Sequence, residues 1–301
     1  RDESLRLVGS EMCIRDRARN TGSSGMRCKN PPIVSSLLLL SLCTGLQADV
    51  TITQLANAGV VISAGETRVM IDGMVVEPYS VYGSLPPEAV PHFNQALAEF
   101  AGIDLALVSH RHHEHNQPDF ACGFMQASRA TELYTSAQVI GLMREKCRDF
   151  MTTSPRVHEI DPQYGAPYVI DFPEVKVTVF PLSHGTRKYA RIQNFGHLVE
   201  MGGVSVLHIG DAAKTPEDFE RAGLGQRKVD VALIPFLYFR PGPGAELVRR
   251  FLDAPMKIAV HIPPGEVEDV KAYMAEAYPK VMILERPLDR VQFSPSLSTP
   301  P

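Results

Sequence analysis

From Ser109 to Asn116 the chain reads SHRHHEHN, so His110, His112, His113, Glu114 and His115 fall within six consecutive positions. Imidazole and carboxylate at that density suit zinc or a similar borderline divalent ion. The segment follows an apolar run at 103–108, which predicts a loop at the carboxyl end of a strand. Such a loop aims alternate side chains the same way: His110 and His112 meet on one ion, while Glu114 and His115 turn towards a second. The competing explanation is a solvated polar loop with incidental histidines, and the spacing argues against it. Three further positions of ligand type each end an apolar run: His184 in FPLSHGT, Asp211 in LHIGDA and His261 in IAVHIPP. Singly, each is as readily a cap or a packed polar residue. Together, after a metal-dense loop, they predict convergence on one site.

The elements that must carry these residues are legible as short β runs. VTITQL, AGVVISA and TRVMI, punctuated by a turn at Ala64–Gly65–Glu66 and ending on Asp72, predict an opening meander. The runs at 103–108, 175–180, 204–209, 229–234 and 256–262 are β-branched and of strand length. Between them, helices are predicted over 87–100, 136–150, 216–222, 244–252 and 265–277, with Thr215–Pro216 and Pro264–Gly265 as start signals. Strands first, then strands mixed with helices and no Gly, Ser or Pro-rich linker, predict one α/β domain over 49–301 with a layered sheet core and helices outside.

HRHHEH resembles the HxHx(D/E)H signature of the metallo-β-lactamase superfamily, and His184, Asp211 and His261 stand where that family's further ligands fall in chain order. The opening strands ending on Asp72 and the run VDVALIP are similar as well. The resemblance implies a four-layer αββα sandwich and two divalent metal ions, zinc first, with Mn2+ or Fe as alternatives. It implies one ion on His110, His112 and His184, a second on Glu114, His115 and His261, and Asp211 bridging. Glu114 departs from the usual Asp, and its extra methylene lengthens the reach by roughly 1.5 Å. His113 is read as solvent-facing.

Two cations sharing an oxygen ligand supply hydroxide near neutral pH and polarise the group under attack. The resemblance therefore implies a dinuclear metal-dependent hydrolase acting on a lactone, other ester or phosphodiester, with Glu114 and Asp211 as catalytic carboxylates orienting the nucleophile. Asp72 is a candidate for holding a ligand imidazole, or else a structural strand end. Tyr238 and Arg240, just past a strand end, are candidate substrate contacts, as is His197. Each has a plain packing role as its competitor. Arg187, Lys188 and Tyr189, soon after His184, either meet an anionic substrate or face water. The alternative functions are a noncatalytic metal-binding or scaffold protein, with Glu114 having spoiled the second site, and a β-lactamase-type amide hydrolase.

Lys+Arg 30 against Asp+Glu 34 gives a net charge of −4, which leaves no broad electropositive face for nucleic acid. The expected partner is a small-molecule substrate. Residues 26–48 carry Arg27 and Lys29 ahead of an apolar stretch centred on 37–40, the layout of a signal peptide ending at Ala48. That stretch is too short for a stable membrane span. The chain is therefore expected to be exported, periplasmic or secreted, with lipoprotein anchoring at Cys43 a weaker alternative because Leu42 precedes it. Residues 1–25 show no periodicity, and VGSEMCIRDR resembles a translated library adapter, so they are read as a non-native leader. Without residues 1–48 the net charge is −7. Cys122 and Cys147 remain, and an oxidising compartment would permit them to pair.

Overall fold

The computed structural model describes residues 48–294; the expected leader, all of the signal segment but Ala48, and Cys43 lie outside the described residues. The opening meander folds as anticipated into antiparallel β1 (Val50–Gln54), β2 (Val60–Ala64) and β3 (Thr67–Ile71). Gly65, in the left-handed region at φ +57°, makes the tight turn between β2 and β3. After α1 (Val90–Gln95), β4 (Leu105–Leu107) joins β3 in parallel. Then α2 (Pro118–Ala127) leads to β5 (Glu132–Thr135), and α3 (Ala137–Arg144) and α4 (Arg148–Thr153) lead to β6 (Val157–Glu159), both strands parallel.

A second sheet repeats that plan. Strands β7 (Tyr168–Phe172), β8 (Val175–Pro181), β9 (Phe195–Met201) and β10 (Val204–His208) run antiparallel. Parallel β11 (Val231–Pro235), β12 (Met256–Val260) and β13 (Val281–Ile283) follow, connected through α5 (Pro216–Arg221), α6 (Pro243–Phe251) and α7 (Val267–Ala277). Finally β14 (Arg290–Phe293) returns to pair with β1. The result is two mixed seven-stranded sheets.

Period-two alternation decides which side chain faces which layer. Along β2 and β3, Val60, Ile62, Val69 and Ile71 join Val177, Val199, Val206, Val231 and Ile258 in a core between the sheets. Val61 and Met70 point the other way, to Phe93, Phe124, Val139 and Met143 of α1–α3. On the far side, Leu207, Ala232, Ile234 and Ala259 meet Phe219, Leu247, Phe251 and Met274 of α5–α7. Three apolar cores separate four layers, the expected αββα order. Each fully buried aliphatic or aromatic side chain here contributes about 1.5–3 kcal/mol.

Some boundaries differ from expectation. The helix predicted over 87–100 stops at Gln95 because Ala96 turns left-handed (φ +51°), and the Leu97 N–H donates to the His92 carbonyl. The helix predicted over 136–150 divides into α3 and α4, with Cys147 between them. Cys147 is disulfide-bonded to Cys122 of α2. Among the described residues, no helix is long and apolar enough to cross a membrane.

Candidate metal centre

The side chains that gather at one edge of the sandwich follow the ends of β3, β4, β8, β10 and β12. Asp72 comes immediately after β3, left-handed at φ +49°, with its N–H donating to the Leu107 carbonyl at 2.9 Å. Its carboxylate accepts the Ser109 N–H at 2.6 Å and the Ser109 hydroxyl at 2.5 Å, which fixes the start of the histidine loop. That loop is short and turns tightly, the N–H groups of His115 and Asn116 both donating to the His112 carbonyl. Asn57 Nδ2 donates to the Glu114 carbonyl at 3.0 Å and pins the loop to the β1–β2 connection.

Asp211 occupies the middle of the constellation. Its Oδ2 lies 3.9 Å from His110 Nε2 and 3.8 Å from His184 Nε2, and its Oδ1 lies 3.4 Å from His115 Nε2 and 3.5 Å from His261 Nε2. His112 Nδ1 is 3.1 Å from His110 Nε2. Two ligand sets result: His110, His112, His184 and Asp211; and His115, Asp211 and His261, the donor atoms in each lying within 4.8 Å of one another. These six residues, separated by up to 151 positions, are brought together. Glu114 joins neither set. Its Oε1 lies 3.9 Å from His112 Nδ1, beside the first set rather than between His115 and His261 where the resemblance put it.

The backbone that presents Asp211 is braced from below. His208 Nδ1 accepts the Gly210 N–H at 3.1 Å and its Nε2–H donates to the Ala58 carbonyl at 3.2 Å, which requires a neutral ring. Asn194 Oδ1 accepts the Asp211 N–H at 3.0 Å, while its Nδ2 donates to the carbonyls of Leu182 and Ile209. Gly210 sits at φ +55°, and a Cβ there would stand 2.4 Å from Asn194 Oδ1 and 2.9 Å from Ser109 Cβ. Only glycine fits.

Burial and charge set the protonation of the cluster. Burial pushes His184 down to about 4 and lowers His112; His110 is driven well below its ordinary value by burial and by neighbouring His115. For His115, burial also works downward, but the carboxylates of Asp211 and Asp72 outweigh it and raise the imidazole to about 10. Burial opposes charge on Asp211 and Asp72 too; His115 reverses this for both, assisted by His261 at Asp211, and holds them well below the carboxylate range. Two ionised carboxylates, buried Asp72 and part-buried Asp211, thus stand beside His110, His112 and His184, whose charged forms burial disfavours, with His115 the one imidazole they hold as a cation. A metal ion would take over that positive charge. Buried His115 Nε2, His184 Nε2 and His261 Nε2 have no hydrogen-bond partner in the protein, and all three point at Asp211. Orphaned ring nitrogens of this kind are what metal ligands present. His115 Nδ1 meanwhile lies 2.7 Å from Asp72 Oδ2, the carboxylate–histidine arrangement that orients a ligand ring.

The remaining candidates separate from the site. Tyr238 is buried, its hydroxyl donating to the Ala212 carbonyl at 2.7 Å, and burial raises its phenol. Although it borders the cavity, its polar atom braces the Asp211 loop instead of facing substrate. Arg240 lies over Phe236 and Tyr273 and reaches Glu266 at 4.0 Å; it is not among the residues lining the cavity at the site. His197 is fully buried on β9 opposite His208, and the cavity lining does not include it. The cause is common to Arg240 and His197: being near a strand end in sequence does not fix which layer the side chain enters. His113 is exposed, with Gln117 Nε2 donating to its Nε2 at 2.8 Å.

Two tyrosines absent from the predicted ligands flank the centre. Tyr189 packs edge-on against His112 and His184, with ring centroids 5.3 and 5.1 Å away, and Tyr82 packs edge-on against His261 at 4.8 Å. Tyr82 lies in a loop rich in Pro, Ser and Gly, where nothing in sequence marks it. The cavity beside the ligands has a volume of about 380 Å³.

A family model described as the beta-lactamase superfamily domain matches residues 67–284. A search of curated proteins finds no match. Among solved structures, the chain is similar to Igni18, a novel metallo hydrolase of the archaeon Ignicoccus hospitalis, at 17% identity and a TM-score of 0.54, covering 82% of this chain and 99% of that one. It is also similar to an isothiocyanate hydrolase from Delia radicum gut bacteria (14% identity, TM-score 0.57, 81% and 99% covered). A third likeness is to Zn(2+)-bound PqqB from Methylobacterium extorquens (12% identity, TM-score 0.53, 81% and 100% covered). At these identities the likeness is one of fold.

Proposed function

Because the chain belongs to the metallo-β-lactamase superfamily, we propose that it is a dinuclear metal-dependent hydrolase acting on a lactone, other ester or phosphodiester. The observation that carries this reading is Asp211, whose two oxygens face two separate histidine sets. His110, His112 and His184 would hold one ion, His115 and His261 the other, and Asp211 would serve both. Imidazole and carboxylate donors favour zinc, and the zinc-bound PqqB structure supports that choice. When bound, such ions acidify water and polarise the oxygen of the group under attack.

What the chain itself contributes is orientation and exclusion. Asp72 orients His115 through Nδ1, so that an ion displacing the Nε2 proton would find that nitrogen aimed at it with Nδ1–H held towards the carboxylate. Ser109 couples that carboxylate to His110 through its hydroxyl, 3.0 Å from Nδ1. Glu114, buried with Oε2 unpartnered, is positioned to accept a proton at the edge of the first set. Tyr82 and Tyr189 wall the centre from bulk water.

We also read the chain as exported. The Cys122–Cys147 disulfide supports an oxidising compartment, and the amino terminus of the mature protein should follow Ala48.

The direct test is a metal count by mass spectrometry paired with turnover on lactone, thioester, ester and bis(p-nitrophenyl) phosphate substrates before and after chelation. Two ions per chain and turnover that chelation removes and zinc restores is the expected result. One ion and an inert protein on every substrate would instead favour a noncatalytic metal-binding protein.

A further inference from the structure

The cavity beside the metal centre is chemically two-sided. His184, Asp211 and His261 form one wall; Ala212, Ala213, Pro235, Phe236 and Leu237 supply another. Leu237 is 51% exposed although it sits between buried Phe236 and Tyr238, an arrangement that leaves an isobutyl group in the open at the mouth of the site. The two polar side chains beside this wall each hydrogen-bond to backbone. Lys214 Nζ donates to the Leu237 carbonyl at 2.7 Å and rests over the Tyr238 ring, and the Tyr238 hydroxyl donates to Ala212. The wall therefore offers methyl, methylene and ring surface within a volume ordinary for a small-molecule site.

We propose that the substrate is a carboxylic ester or lactone bearing an apolar alkyl or aryl acyl arm. The arm lies against Ala213, Phe236 and Leu237 while the carbonyl faces the histidines. This rests on the hydrolase reading above and narrows it. The reaction balances as hydrolysis: the acyl C–O bond breaks and one water is consumed, its hydroxyl passing to the acyl carbon and its proton to the leaving oxygen. A phosphodiester whose arms are polar gains nothing from this wall. Each methylene buried against it adds hydrophobic stabilisation until the cavity is full.

The test uses the zinc-loaded protein and p-nitrophenyl acetate, butyrate, hexanoate and octanoate, with bis(p-nitrophenyl) phosphate alongside. Calorimetric binding of acetate, butyrate, hexanoate and octanoate ions gives a readout independent of turnover. We expect kcat/KM to rise about fourfold per fully buried methylene and carboxylate Kd to fall by a similar factor. In Leu237→Glu, the ratio of octanoate to acetate should shrink at least tenfold in both series. Val169→Glu, on the exposed face of β7, controls for added surface charge and should keep both ratios. A flat series, an unaltered slope in Leu237→Glu, or preference for the phosphodiester overturns the proposal. A protein inert on every substrate that still binds longer carboxylates more tightly would sink the hydrolase reading alone and uphold the cavity as an apolar-arm site.

Discussion

At the scale of single residues, the centre depends on a relay of charge: Asp72 to His115 at 2.7 Å, then His115 to Asp211 at 3.4 Å. Neither carboxylate meets a Lys or Arg within ion-pair distance among the described residues, so buried negative charge is balanced by imidazole alone or by a bound cation. The ligand sets make Asp211 and Glu114 separable. Asp211→Asn removes one charge and one oxygen donor from both sets at once. Metal content should fall from two ions per chain to one or fewer, with a loss of affinity of at least tenfold at whatever remains. Glu114→Gln, which alters neither set, should retain two ions while changing the pH dependence of turnover. Mass-spectrometric metal counts after dialysis decide the matter: loss of an ion in the Glu114 variant would return that residue to the ligand list. Asp72→Asn should act between these extremes, keeping both ions but weakening the His115 set, as removal of an orienting partner does.

At the scale of elements, the site residues ride on loops that strands and helices hold from both sides, and the legibility of those elements was uneven. VKVTVF carries valine at every second position and VDVALI is a mainly apolar run rich in β-branched residues, so β8 and β11 could be read within one or two residues. Strand β9 could not be bounded in this way: FGHLVEM contains Gly196 and His197 and is buried on both faces, leaving no alternation to mark its ends. Helix α2 was missed because it starts without a side-chain cap and carries Gly123. The ligands were visible because their chemistry is dense, whereas Tyr82, Asn194 and His208 act through contacts that only the fold creates. The disulfide is another such contact. It closes a segment of 25 residues between α2 and the start of α4, where β5 and α3 must pack. The chain-entropy relation gives about 3.5 kcal/mol for a loop of this length. Cys122→Ala with Cys147→Ala should lower unfolding stability by roughly that amount in urea titrations. Reductant should do the same to the parent chain and nothing further to the variant. Equal stability with and without reductant in the parent would show that the link carries no stability.

Across the whole molecule, two sheets enclose polar groups that a single-layer protein would leave wet, and acid stability follows from this. His197 lies between the layers with neither ring nitrogen partnered, and burial, partly opposed by Asp72, depresses it to about 3. His208, neutral and hydrogen-bonded on both nitrogens, is lowered in the same direction, again chiefly by burial. For a base whose folded value is depressed, the unfolded chain takes up the proton first. Between about 6.5, its value when exposed, and about 3, the unfolded state holds up to one more proton at His197, so stability rises with pH there, and His208 acts in the same direction. The contribution is complete above 6.5 and is lost on acidification, at up to about 1.4 kcal/mol per pH unit for His197. From pH 7.5 to pH 4.5 the metal-free protein should therefore lose about 2.7 kcal/mol on account of His197 alone. His197→Gln, which removes the titrating ring, should flatten the slope of unfolding free energy against pH by close to one proton in that interval, whatever its effect at pH 7.5. Denaturant titrations at half-unit steps in the presence of a chelator measure this slope directly. If the slope is the same in both proteins, the buried ring takes up its proton without unfolding the sandwich, and the acid lability must arise at the carboxylates of the metal centre instead.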